Sequence, residues 1–190
     1  NVLNDQRQVI FNQRKEILNT NEIYEFVNKL LEDEVDQVIK EKNNSLNLEK
    51  DKVLRNKFET LLQNQNENYL NEILSFKQNE IIKVIKEKFN DKRKERISIL
   101  TDTGNKDLER KIFLQIIDLN WKNHIQYLEQ LRQVIGLRSY GQRDPLIEYK
   151  KESFTLFEKL LEKIRQDTIL LLINLKIENT NKKIKQEKKK

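Results

Sequence analysis

The sequence contains no cysteine and no methionine, three glycines, one proline, one histidine and one tryptophan in 190 residues. Without cysteine there is no disulfide, no thiolate metal site and no thiol nucleophile. That fits a reducing compartment. A single histidine excludes a histidine-based metal cluster. So little glycine and proline argues against an all-β fold, which needs frequent turns. There is no run of about 18 apolar residues and no signal-peptide pattern, so no membrane-spanning helix is predicted. With no initiator methionine, and with Asn1 already inside a helical pattern, the chain is expected to be part of a longer protein. Phosphate-loop, HExxH and serine-elbow motifs are all missing. Carboxylates are plentiful but alternate with lysines at helical spacings, the pattern of a solvated face rather than of paired catalytic acids.

What remains is a charged, periodic sequence. It is 36% charged and 36% hydrophobic, with a mean hydropathy of −0.83. That composition suits long helices that each bury one stripe. The net charge is +6, but Lys182–Lys190 holds six lysines and one glutamate, a net +5, which leaves +1 for the body. The tail reads as a solvated end, with weak attraction to an anionic membrane surface as the sharper alternative. A nucleic-acid interface belongs on a basic folded body, and the near-neutral body speaks against a nucleic-acid partner.

Four segments follow from the patterning. In residues 1–42, Leu3, Ile10, Ile17, Tyr24, Leu31 and Val38 recur every seven residues. Val9, Val27, Leu30 and Val35 widen that helical seam. As one helix it would span roughly 60 Å at about 1.5 Å per residue. Asn19 and Glu22 have capping-box spacing, so a kink or break is expected there. Residues 43–106 form an Asn- and Lys-rich helical subdomain, with patterns near Leu48–Leu62 and Asn68–Ile85 and a basic run at Lys88–Arg96. Thr101–Asn105 reads as a loop on its turn chemistry.

In residues 107–178, Leu114, Ile117, Trp121, Ile125, Leu128, Leu131 and Ile135 step by threes and fours along one helix face. Two of the three glycines and the only proline then fall within Gly136–Pro145. This is the expected tip of an antiparallel two-helix hairpin. Asp144 is placed to cap, and Pro145 to start, the second helix. Its stripe carries Phe157, Leu160, Ile164, Leu171 and Leu175, with Leu146, Tyr149 and Phe154 beside it. Residues 179–190 are the lysine tail. The expected fold class is all-α.

Within this frame, Trp121 reads as a buried anchor and His124 as a packed or hydrogen-bonded structural histidine on the flank of the stripe. Tyr140 sits where the backbone turns. It either folds back on the loop or stands exposed to touch another molecule. Arg138 and Arg143 are either solvated turn charges or partners for carbonyls and acidic loops.

The residues from Ile117 to His124, and from Leu131 through Tyr140 to Lys150, resemble the two-helix finger of SecA, the motor of the Sec protein translocase. Asn4-Asp5-Gln6-Arg7 with Gln13-Arg14 is similar to the opening of that family's helical scaffold. The resemblance covers about residues 1–42 and 107–178, and residues 43–106 correspond by position to its helical wing. It implies a chain whose finger approaches a SecY-type channel, with Tyr140 at the fingertip touching the preprotein. Leu137, Arg138 and Gln142 join Tyr140 as expected polypeptide contacts. Asp5, Arg7, Arg14 and Arg143 are the expected contacts to motor domains or channel, and Trp121, His124, Asp144 and Pro145 are expected to be structural.

ATP and magnesium would be handled by motor domains of the parent protein. No cofactor, catalytic residue or zinc is expected in this chain. The implied location is the cytoplasmic face of the inner membrane, or alternatively a plastid stroma. Two other readings stand beside it: a motor-free coiled-coil adaptor, and a basic helical nucleic-acid binder.

Overall fold

A computed structural model describes residues 2–45, 52–138 and 144–177. Among these residues the secondary structure is helical, as the all-α expectation requires. The helices are α1 (Val2–Asn19), α2 (Ile23–Asn44), α3 (Lys52–Leu62), α4 (Glu67–Ser75), α5 (Gln78–Arg138) and α6 (Pro145–Asn174). They assemble into two compact units. One comprises Asn1–Phe26 with Glu109–Thr168, the other Val27–Leu108 with Ile169–Lys190. The unit boundaries therefore divide the first expected segment after Phe26 and the third after Thr168.

The first long seam is two helices rather than one. Thr20 Oγ1 accepts from the Glu22 backbone N–H at 2.9 Å. The Glu22 carbonyl accepts from the Glu25 N–H at 3.0 Å. Thr20, one residue beyond the expected Asn19, thus organises the break, because a short hydroxyl side chain competes well for local backbone groups.

In the first unit, α1 lies against the C-terminal part of α5 and the first part of α6. The pairings Gln6 with His124, Arg14 with Asp118 and Arg110 with Ile17 and Thr20 run in opposite senses along the two chains. Hence α1 is antiparallel to α5. Asn120 meets Asp167 while His124 meets Phe157, so α5 and α6 are antiparallel too. Ile10, Ile17, Phe113, Ile117, Leu128, Leu160 and Ile164 form the apolar centre. Val9, Ile125, Leu146 and Phe154, placed on or beside the stripes from spacing alone, are exposed instead.

The second unit buries Val27, Leu31, Val35 and Val38 of α2 with Phe58, Leu62, Leu70, Ile81, Ile85, Phe89 and Leu172. Its α6 residues enter through Leu172, whereas the expected Leu171 points outward at 44% exposure. Asn66 caps α4, its Oδ1 accepting from the Tyr69 N–H at 3.1 Å. The expected continuous pattern from Asn68 to Ile85 is interrupted, since α4 ends at Ser75 and α5 begins at Gln78.

The expected loop at Thr101–Asn105 is a kink inside α5. Thr101 alone leaves helical geometry, at φ 71° and ψ 167°. Its Oγ1 accepts from the Gly104 N–H at 3.3 Å, the bond of an N-cap. Asp102 and Lys106 form an i,i+4 pair at 3.0 Å in the first turn that follows. The turn residues therefore stop and restart a helix, and Asn105 is fully buried within it.

Candidate functional site

The tip of the hairpin begins later than its glycines suggest. Gly136, Leu137 and Arg138 complete α5, and a Cβ at Gly136 would meet nothing within 4 Å. The backbone there is helical, so no left-handed turn requires that glycine. Ser139, Tyr140, Gly141, Gln142 and Arg143 lie outside the described residues, as do the side chains of Leu137 and Arg138. On the far side, Asp144 Oδ1 accepts from the Leu146 N–H at 2.8 Å. The Asp144 carbonyl accepts from the Glu148 N–H at 3.1 Å. Asp144 is thus the N-cap and Pro145 the first helical residue, where proline's missing N–H is no loss.

Of the expected outward contacts on α1, Asp5 and Arg7 are exposed. Arg14 is engaged within the unit. Its Nε approaches Asp118 Oδ1 at 2.9 Å, and an Nη donates to Asp118 Oδ2 at 3.1 Å. This half-exposed pair ties α1 to α5, and solvent screening keeps its contribution modest. Arg110 adds a second tie. It donates to the carbonyls of Ile17 at 3.2 Å and Thr20 at 2.8 Å. Those are carbonyls at the end of α1, which has no basic residue of its own in its last turn. A cation there satisfies orphan acceptors and opposes the helix dipole.

A buried polar layer runs across the three helices of the first unit. Gln6 of α1, His124 of α5 and Ser153 of α6 are 6%, 3% and 0% exposed. Gln6 Nε2 donates to the Ser153 carbonyl at 3.1 Å. A carbonyl can only accept, so the other end of the Gln6 amide is its acceptor, Oε1. That oxygen lies 2.8 Å from His124 Nε2, so the proton sits on Nε2. Burial lowers the His124 pKa below its ordinary 6.5, which keeps the ring neutral at neutral pH. The ring stands 5.5 Å from that of Trp121 and 5.9 Å from that of Phe157. Trp121 itself is only half-buried, so the anchor in the core is the histidine beside it. Asn120 continues the layer, its Nδ2 donating to Asp167 Oδ2 of α6 at 3.1 Å. A groove of about 330 Å³ opens beside His124, lined by Asn120, Asn123, Tyr127, Leu156, Lys159 and Lys163.

Sequence reasoning placed His124 on a flank and passed over Gln6, Asn120 and Ser153. The signal was present. Leu3, Gln6, Ile10, Gln13 and Ile17 alternate steps of three and four, so Gln6 and Gln13 occupy seam positions. Counting only apolar residues hides them. The same bias drew the α5 stripe through Trp121 and Ile125 instead of Asn120 and His124.

Chemically, this arrangement holds helices in register. Among the described residues, no group of three or more His, Cys, Asp or Glu is placed to hold a metal ion. No described helix is long and apolar enough to cross a membrane. The fold and its polar layer define an all-α scaffold: helices locked side by side, with a capped hairpin end. Residues 1–176 match the SecA wing and scaffold domain, and the chain belongs to that family.

Its relatives include the protein translocase subunit SecA of Pelagibacter ubique, 46% identical over 177 residues, which is 93% of this chain and 21% of that protein. The corresponding subunit of Caulobacter sp. (strain K31) is 53% identical over 72 residues, 38% of this chain and 8% of that protein. That of Caldicellulosiruptor saccharolyticus is 37% identical over 78 residues, 41% of this chain and 9% of that protein. The chain thus spans about a fifth of the length of the Pelagibacter ubique relative.

Proposed function

We propose that this chain is the mechanical part of a protein-translocating ATPase. In this reading it carries displacement from nucleotide-driven motor domains of the same protein to a polypeptide entering a SecY-type channel. The observation that carries it is the family match over residues 1–176, with the antiparallel α5–α6 pair that ends at the Asp144 cap. A helix pair stiffened by backbone hydrogen bonds and joined side to side moves as a rod. An aromatic at its end offers apolar contact and a hydroxyl to varied sequences, which suits Tyr140 for preprotein contact. Leu137, Arg138 and Gln142 are its neighbours in that role.

The exposed apolar side chains on α1, Val9, Phe11 and Leu18, together with Asp5 and Arg7, suit cover by the motor domains. Arg143 is assigned to the channel. ATP and magnesium belong to the motor domains, and this chain supplies no cofactor ligand. The bacterial origin of the matched relatives favours the cytoplasmic face of a bacterial inner membrane, with peripheral attachment aided by the lysine tail. Placing a photo-crosslinking residue at position 140 of the full-length protein tests this. Crosslinks to a preprotein during ATP-driven transport are expected. Absence of crosslinks, with unimpaired transport by Tyr140→Ala, refutes the fingertip role.

A further inference from the structure

We propose that Gln6 is a positioning residue that locks α1 to both helices of the hairpin in a single axial register, so that displacement of α1 moves the hairpin without slippage. This rests on the transport function proposed above and assigns the coupling step within it. Apolar seams alone tolerate sliding, because one leucine or isoleucine fills a neighbouring hole much as another does. A buried polar side chain in such a seam is satisfied in one register only, which is how single polar seam residues specify alignment in packed helices. Gln6 holds a seam position between Leu3 and Ile10 and is 6% exposed.

Both ends of its amide are used, and they reach different helices. Oε1 meets His124 Nε2 of α5 at 2.8 Å, and Nε2 meets the Ser153 carbonyl of α6 at 3.1 Å. Displacing α1 by one helical turn would leave the Gln6 amide and His124 Nε2 buried without partners, and burial keeps water from replacing them, while the mid-helix Ser153 carbonyl keeps its bond within α6. The histidine is packed against Phe157 of α6, which opposes its swinging to follow Gln6. The Arg14–Asp118 pair and the Arg110 contacts are nearer solvent and longer-limbed. They can stretch where the central layer cannot.

The test uses the full-length protein carrying this chain, with a SecY-type channel in lipid vesicles and a preprotein. The readouts are ATP hydrolysed per preprotein delivered, and basal hydrolysis without channel. Gln6→Met and His124→Leu are each expected to raise ATP consumption per delivered preprotein by about threefold or more, the low end of coupling within one hydrogen-bond network. Basal hydrolysis should stay unchanged. The double variant should be no worse than either single one, and His124→Gln, which keeps a donor for Gln6 Oε1, should return most of the coupling.

Additive losses, an unaltered ATP-to-transport ratio, or His124→Gln behaving like His124→Leu each overturn the lock. The His124 comparison decides the matter even if Gln6→Met folds poorly. A wild-type protein that hydrolyses ATP but delivers no preprotein overturns the transport function itself, and this inference with it.

Discussion

Arg96 is the sharpest test of how the second unit is held together. Its side chain is 2% exposed. Nε donates to Asn105 Oδ1 at 3.0 Å and an Nη donates to the Leu172 carbonyl at 2.8 Å. One guanidinium therefore joins the helix before the Thr101 kink, the helix after it and the last turn of α6. The Leu172 carbonyl lies in that last turn, where acceptors lack intrahelical donors, and Gln63 serves the next carbonyl, Ile173, at 2.9 Å.

Arg96→Met keeps the length and removes both donors. Each charge-assisted bond is worth about 1.5–3 kcal/mol. Asn105, 0% exposed, and the Leu172 carbonyl are left without these donors in the interior. Against this, a buried charge no longer has to be desolvated, a relief of several kcal/mol in general. For guanidinium it is smaller than for ammonium, because guanidinium is more weakly hydrated. The lost bonds and orphaned acceptors outweigh it, with a net destabilisation of about 2–4 kcal/mol.

Urea unfolding followed by circular dichroism reads this as a midpoint lowered by about 1–2 M, for a slope of about 2 kcal/mol/M. Hydrogen exchange should localise the loss to the Ile169–Ile173 amides and the residues around Asn105. Arg96→Lys should fall between, since it keeps charge but not the fork. A change below about 0.5 kcal/mol, the level of ordinary surface substitutions, would refute the reasoning.

Two further outcomes follow from other parts of the molecule. Burial holds the His124 pKa below 6.5, so on acidification the unfolded chain takes up the proton first. The first unit is then fully stabilised above about 6.5 and loses stability as pH falls through 6.5 toward the folded value. The wild-type denaturation midpoint should drop over that window relative to His124→Gln, and parallel pH curves would count against it.

Thr101→Gly should raise stability by about 1 kcal/mol. Relief of the positive-φ backbone is worth about 1–3 kcal/mol, against about 0.4–1 for unfolded-state entropy and a few tenths for the lost cap. A lowered midpoint in the same urea assay would show that the cap outweighs the strain.

Much of the fold was legible because helices announce themselves by period. The seam from Leu3 to Val38 became α1 and α2, with Ile10, Ile17, Leu31 and Val38 all buried. Asp144-Pro145 opened α6 where a cap and a proline must. The errors share one cause. Stripes were drawn through apolar residues only, so Ile125, Phe154 and Leu171 were drawn inward although they face out. Of the polar residues that truly occupy the seams, His124 was left at a flank, and Gln6, Asn120 and Ser153 were passed over. Turn chemistry misled at Thr101–Asn105 for a related reason. Threonine, aspartate and asparagine begin helices as readily as they make loops, and only the burial of Asn105 against Arg96 decides between the two.

Hydrophobic period, capping residues and the scarcity of glycine and proline specified helices and their approximate ends, and the resemblance of Ile117–His124 and Leu131–Lys150 pointed to the family, because those depend on neighbours along the chain. Which polar side chains lie inside, and what each one holds, depends on residues more than a hundred positions apart. Gln6 bonds to His124 and Ser153, 118 and 147 residues away. A glutamine in a heptad is equally compatible with solvent and with a buried lock. Three helices had to pack before one answer became cheaper than the other.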